Sequence, residues 1–290
     1  MPALTPATAA DLFRQDPDRY LDVGAGEVAY RCVGSGPDVL FVHGWPVSGA
    51  TWRTLLPHLG EHVTCHVIDL PSAGSSRFDA ATPMSIRQHI ESVRRVVDLL
   101  ELERLAVVGH DSGGLIARHA MVGDARLRAM GLINTEQPDP GWRFNSFVMA
   151  RNLPGLSAGL GWIAGQPRIR RSRIVFGDAF ADRTLLDGEF AEFFFTPIHE
   201  NAAARDAAGK LLRSFDMGLV EELRDVHARI DVPVKLVWGD RDPFFPVERA
   251  RAMVSDFPDA SIEIIEGAGL FSHEEAPAEV ARALLPTLTR

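Results

Sequence analysis

The 290-residue chain has room for one large α/β domain or two small ones, with apolar residues at 46% and charged residues at 24%, ordinary values for a globular protein with a sizeable core. It contains no apolar run of about 18 residues, which excludes a membrane-spanning helix. A net charge of −9, from 30 Lys+Arg against 39 Asp+Glu, speaks against a nucleic-acid partner.

In chain order, Val28 to Val33 reads as a strand closed by the turn Gly34-Ser35-Gly36-Pro37. Val39 to Val42 is a short apolar run, hence a buried strand, feeding His43-Gly44-Trp45-Pro46. Val63 to Leu70 is another strand. Ile86, Ile90, Val93, Val97 and Leu100 recur at helical spacing and predict an amphipathic helix over 85–100. Leu105 to Val108 predicts a strand that runs into Gly109-His110-Asp111-Ser112-Gly113-Gly114, followed by a helix to about Val122. Ala129 to Thr135, Val232 to Trp238 and Ser261 to Ile265 complete the strands, and a last helix carries Val280, Ala283 and Leu284. Strands alternating with helices imply an α/β fold with a mostly parallel sheet. Residues from about 136 to 215 break the rhythm and read as a helical insertion, a cap on a core made of 1–135 and 216–290.

The sharpest signal is the turn at 109–114. A nucleophile on a tight strand-to-helix turn needs small residues two positions before and after it, and Gly109 and Gly113 flank Asp111 in that way. Ser112 would have the bulky His110 at the first of those positions, so an esterase built on Ser112 is the weaker reading; an organophosphate label on Ser112 would be its mark. The plain alternative for Asp111 is a helix N-cap.

The chain resembles the α/β-hydrolase fold family, and the aspartate at the elbow is similar to the haloalkane dehalogenase, haloacetate dehalogenase and epoxide hydrolase branch. The resemblance runs from about Leu21 to the end and is carried by HGWP at 43–46, GHDSGG at 109–114, WGDRDPFFP at 238–246 and GAGLFSHEEAP at 267–277. It implies a mostly parallel sheet flanked by helices, with Asp111 attacking a saturated carbon to form an alkyl ester that water then hydrolyses. The backbone N–H groups of Trp45 and Ser112 would form the oxyanion or leaving-group hole. Asp242, three residues past Gly239, would orient a histidine base; Glu136, closing the strand before it, is the rival acid. The family's histidine position, four residues before an acidic residue and seven before a proline, is held by Leu270, counted back from Glu274 and Pro277. Either His273, three residues on, replaces the base, or the hydrolytic half-reaction is impaired.

The branch stays open. Epoxide hydrolases use cap tyrosines, but Tyr20 and Tyr30 both precede the first motif. The indole donor that haloalkane dehalogenases place after the nucleophile is Ser112 here, with Trp45, Trp142 and Trp162 as other indoles. The arginine clamp of haloacetate dehalogenases is absent at Ser112 and Leu115. Phe193 and Phe194, with Phe190, Phe144 and Phe147, either line an apolar entrance with Leu270 or pack the cap on the core. The expectation is a cofactor-independent, cytoplasmic hydrolase, a monomer or homodimer, most like a haloalkane dehalogenase and acting on a small apolar substrate with water. The alternatives are a non-hydrolytic lyase, cyclase or ligand-binding protein and, less favoured, an epoxide hydrolase. The start of the chain lacks a secretory leader pattern, and Cys32 and Cys65 are too few for a disulfide framework.

Overall fold

The computed structural model describes residues 4–290. Eight strands form one sheet: β1 (Arg19–Asp22), β2 (Glu27–Gly34), β3 (Asp38–Val42), β4 (Thr64–Asp69), β5 (Leu105–His110), β6 (Leu127–Ile133), β7 (Val234–Gly239) and β8 (Ala260–Ile265). Their spatial order is β1-β2-β4-β3-β5-β6-β7-β8. The β1–β2 and β2–β4 pairs are antiparallel, and every pair from β4 through β3 to β8 is parallel. Helices of seven residues or more are α1 (Pro6–Arg14), α2 (Ile86–Leu99), α3 (Ser112–Met121), α4 (Trp142–Met149), α5 (Leu156–Ala164), α6 (Ala202–Arg213), α7 (Val247–Met253) and α8 (Pro277–Leu288). None is long and apolar enough to cross a membrane.

The central strands read as unbroken apolar runs because both faces of the sheet are covered. Leu40, Val42, Leu105 and Val107 face one core, which α2 and α3 close with Val93, Val96, Leu115 and Ile116. Their neighbours Val39, Phe41, Ala106 and Val108 face a second core, closed by Trp52, Leu55 and Leu59 and by Val280, Leu284 and Leu288 of α8.

Three elements escape the sequence reading, β1, α1 and α7. β1 is an edge strand of four residues with one buried side chain, Leu21, too short for a period to show. α1 has a start signal in Thr5-Pro6: the Thr5 hydroxyl accepts from the Thr8 N–H, and Pro6 stands in the first turn. β6 ends at Ile133, two residues earlier than expected, because Asn134 takes a left-handed backbone with φ of 34°. Between β6 and β7 the chain is helical, including a π-helical turn at Ala191–Phe195 that carries the phenylalanine cluster. The turns Met217–Glu221 and Leu223–Ala228 pack against α3.

The strand-to-helix turn after β5 sits at the middle of the sheet and is crowded. A methyl group on Gly109 would lie 2.6 Å from the Cα of Gly114, and one on Gly113 would lie 2.5 Å from the carbonyl oxygen of His43 and closer still to that of Val42. These neighbours are backbone and have nowhere to go. Gly113→Ala is therefore expected to lower stability by about 3 kcal/mol or more, read as a fall in Tm of the purified protein.

Candidate active site

The parallel strands all deliver their C-terminal ends to one edge of the sheet, where open α/β sheets bind their ligands. Asp111 follows β5, Trp45 follows β3, Glu136 follows β6, Asp242 follows β7 and Leu270 follows β8. Asp111 has φ of 50° and ψ of −137°, a strained backbone for a residue other than glycine, and it stands at the N-terminus of α3. Its side chain does not cap that helix. Its Oδ2 instead accepts the Trp45 N–H at 2.9 Å, with Ser112, the next residue, beside the same carboxylate. Burial raises the pKa of Asp111, while these neighbours favour its charged form.

The carboxylate faces a cavity with about 690 Å³ of empty space, its open mouth included. Phe144, Phe147, Phe176, Phe215, Phe244 and Phe271 dominate its wall, with Leu270 beside them. Asp111, Ser112 and Glu136 are the polar residues among those that line it. Glu136 is buried; its Oε2 lies 2.9 Å from the Thr135 hydroxyl. Burial and then the charge of Asp111 raise its pKa, against the opposing pull of Arg118.

Of the residues singled out in the sequence, Asp111, Ser112, Trp45, Glu136 and Leu270 come together along one cavity. Others lie elsewhere. His273 does not reach it. The side chain lies fully buried on the far side of the turn, with its ring 4.4 Å from that of His110 and 5.0 Å from that of Trp52, and its Nε2 pairs with the Thr51 hydroxyl at 2.8 Å. The helical turn begins only at Ser272, so Leu270 and His273 do not share a helix face. Burial, then His110 and Arg53, hold the pKa of His273 well below the usual imidazole range. Asp242 has no histidine to orient: its Oδ1 accepts the N–H groups of Phe244 at 2.8 Å and Phe245 at 3.1 Å, and its Oδ2 the Asn134 amide at 2.8 Å. Burial pushes the Asp242 carboxyl up to about 7 even so.

The cap residues are also redistributed. Trp142 and Trp162 are 76% and 58% exposed and line no part of the cavity, so they are not ligand-binding residues there. Phe193 and Phe194 line a second cavity, beyond Trp45, together with His43, Ser48 and Ser72. Trp45 and Pro46 belong to the walls of both cavities, and the Trp45 indole N–H donates to the carbonyl of Ala208 in α6 at 3.0 Å. Phe244 and Phe245 were missed by sequence reasoning, although their place just after Asp242-Pro243 marks them as loop residues at the functional edge.

Burial pushes His110 down to about 3, and its Nε2 pairs with the Leu270 carbonyl at 3.0 Å, so it too is a neutral structural group. In a histidine ¹⁵N NMR titration, His110 and His273 are expected to keep neutral, single-tautomer signals from pH 8 to pH 5. A midpoint between pH 6 and 7 on His273 would show it open to solvent and restore it as a base.

Residues 39–283 match the alpha/beta hydrolase family, and the chain belongs to it. A pimeloyl-[acyl-carrier protein] methyl ester esterase of Xanthomonas campestris is 25% identical over 262 residues, covering 88% of this chain and 98% of that protein. Haloalkane dehalogenase 2 of Mycobacterium tuberculosis is 25% identical over 279 residues, covering 92% and 93%. Among solved structures, an alpha/beta hydrolase fold protein from Burkholderia ambifaria superposes with a TM-score of 0.78 at 23% identity, covering 94% of this chain and 98% of that one. The epoxide hydrolase CorEH does so with a TM-score of 0.76 at 18% identity, covering 93% and 97%.

Proposed function

We propose that this hydrolase acts at a saturated carbon of a small apolar substrate through an ester on Asp111, with water as the second reactant and no cofactor. The observation that carries the reading is the strained Asp111 elbow, whose carboxylate accepts the Trp45 N–H and opens into a largely aromatic cavity. In the first step an Asp111 oxygen attacks the carbon and the leaving group departs with the bonding pair. In the second, water adds to the Asp111 carbonyl carbon, and the Trp45 and Ser112 N–H groups hold the oxyanion that forms. Residues 136–215 serve as the cap that closes the aromatic wall over the substrate.

Within this class a haloalkane substrate has less support than its resemblance implies, because among the described residues no free indole reaches the cavity: Trp45 donates to Ala208, while Trp142 and Trp162 face outward. A second reading, a non-hydrolytic lyase, cyclase or ligand-binding protein, draws on Leu270, which puts an alkyl side chain in the cavity wall where the family's histidine stands. Intact-protein mass spectrometry after mixing with 1-bromohexane or 1,2-epoxyhexane separates the two. An adduct that maps to Asp111, or diol or alcohol release that depends on Asp111, supports the hydrolase. Neither adduct nor product from either probe supports the second reading.

A further inference from the structure

The bond that Trp45 makes to Asp111 comes from its backbone N–H, which any residue other than proline would supply. The indole needs its own account. Trp45, Pro46 and Leu211 line both cavities, and Trp45 has the largest side chain of the three. Its ring is held from two sides. The indole N–H donates to the Ala208 carbonyl at 3.0 Å, and the ring centroid lies 5.4 Å from that of Phe147 and 6.3 Å from that of Phe176. Both phenylalanines line the first cavity and Ala208 lines the second, so the indole stands between the two. Beyond it the second cavity holds about 1030 Å³ of empty space, its open side included, and Phe193, Phe194, Ile198 and Ala204 give that space an apolar flank. No Asp or Glu lines it among the described residues, so it offers room without a counterpart of Asp111.

We propose that the Trp45 indole is the partition between the two cavities and a specificity-determining residue: it sets how far an apolar chain can extend past Asp111 on that side, so the substrate carries a short chain although space for a longer one lies behind the ring. The proposal deepens the reading of the first cavity as the substrate site and rests on it. An indole with its N–H bonded, wedged beside two phenylalanine rings, has little freedom to swing aside, because turning it leaves a part-buried donor unpaired. Each methylene that stays within the first cavity leaves water and tightens binding by about fourfold. A methylene that meets the indole gains nothing of the kind, since the chain must back out toward the mouth and stay in water. Removing the ring joins the two spaces and lets the chain run on along Ile198 and Ala204.

Calorimetric titration of the full-length protein with linear 1-alkanols, from butanol to dodecanol, tests this; alkanols offer no group that a carboxylate displaces, so the readout is binding and not turnover. In wild type the affinity is expected to climb by about fourfold per methylene and then level off within the series. In Trp45→Ala the levelling is expected to move to chains longer by two methylenes or more, so that the longest alkanols bind at least about tenfold tighter than to wild type. Adding Ala204→Phe to that variant puts a ring into the second cavity and is expected to take the gain back, whereas Ala204→Phe alone leaves the wild-type series unchanged. Leu211→Ala, which keeps the bond from the indole to Ala208, is expected to show the same extension at smaller size and serves where Trp45→Ala fails to fold. An affinity that climbs through dodecanol in wild type, the same levelling point in wild type and the variants, or a gain that Ala204→Phe does not reverse overturns the partition. So does a loss of the longer alkanols in Ala204→Phe alone, which would show the cavities already joined. Adduct formation on Asp111 is read separately, so each of these results leaves the Asp111 reading standing. No binding of any alkanol to wild type overturns the first cavity as an apolar substrate site and the partition with it.

Discussion

Asp111→Asn is expected to remove adduct formation and to cut turnover by at least about 10⁴-fold, the scale seen when a covalent nucleophile is lost. Asparagine is the informative replacement. It tolerates positive φ better than most residues, so it accepts the 50° backbone of the elbow, and it matches the carboxylate in shape. A fall in activity without a fall in Tm then reports chemistry and not collapse of the turn. The variant should also bind apolar ligands at least as well as wild type, since it removes a charge from an aromatic cavity. An Asp111→Asn protein that still forms an adduct would move the nucleophile elsewhere, to Ser112 first.

Leu270→His is expected to shorten the life of the Asp111 ester, by about 10²- to 10⁴-fold if the new imidazole settles as a general base. Leu270 already lines the cavity, and histidine is close to it in volume, so the change needs little repacking. One obstacle is visible. The acid that would orient the new ring, Asp242, spends both oxygens on the Phe244 and Phe245 N–H groups and the Asn134 amide. Full gain therefore requires Asn134 to yield, and adding Asn134→Ala should enlarge the effect on ester decay. Unchanged decay in both variants would show that the ring does not reach the ester carbonyl.

The sheet was legible because its strands are short apolar runs ended by Gly, Pro and charged residues, and the elbow because two glycines frame an aspartate. What the sequence hid was direction. His273 stands three residues from the vacant base position, a spacing that brings side chains together only within a helix, and the helical turn begins between them. The aromatic stripe at 190–195 looked equally suited to the cavity and to packing; the π-helical turn sends Phe193 and Phe194 toward the second cavity. Trp142 and Trp162 carried no sign of their exposure, because nothing local distinguishes an outward indole from a buried one. Glu136 was visible as an acid, but its place beside the Thr135 hydroxyl and Arg118, a buried residue 18 positions earlier in the chain, was not.

Trp45 has a backbone N–H on the Asp111 carboxylate and an indole N–H on the Ala208 carbonyl of α6. One residue thus ties the candidate nucleophile to the helical segment above it, so the placement of α6 on the sheet and the placement of the N–H donor beside the Asp111 carboxylate are set by a single side chain.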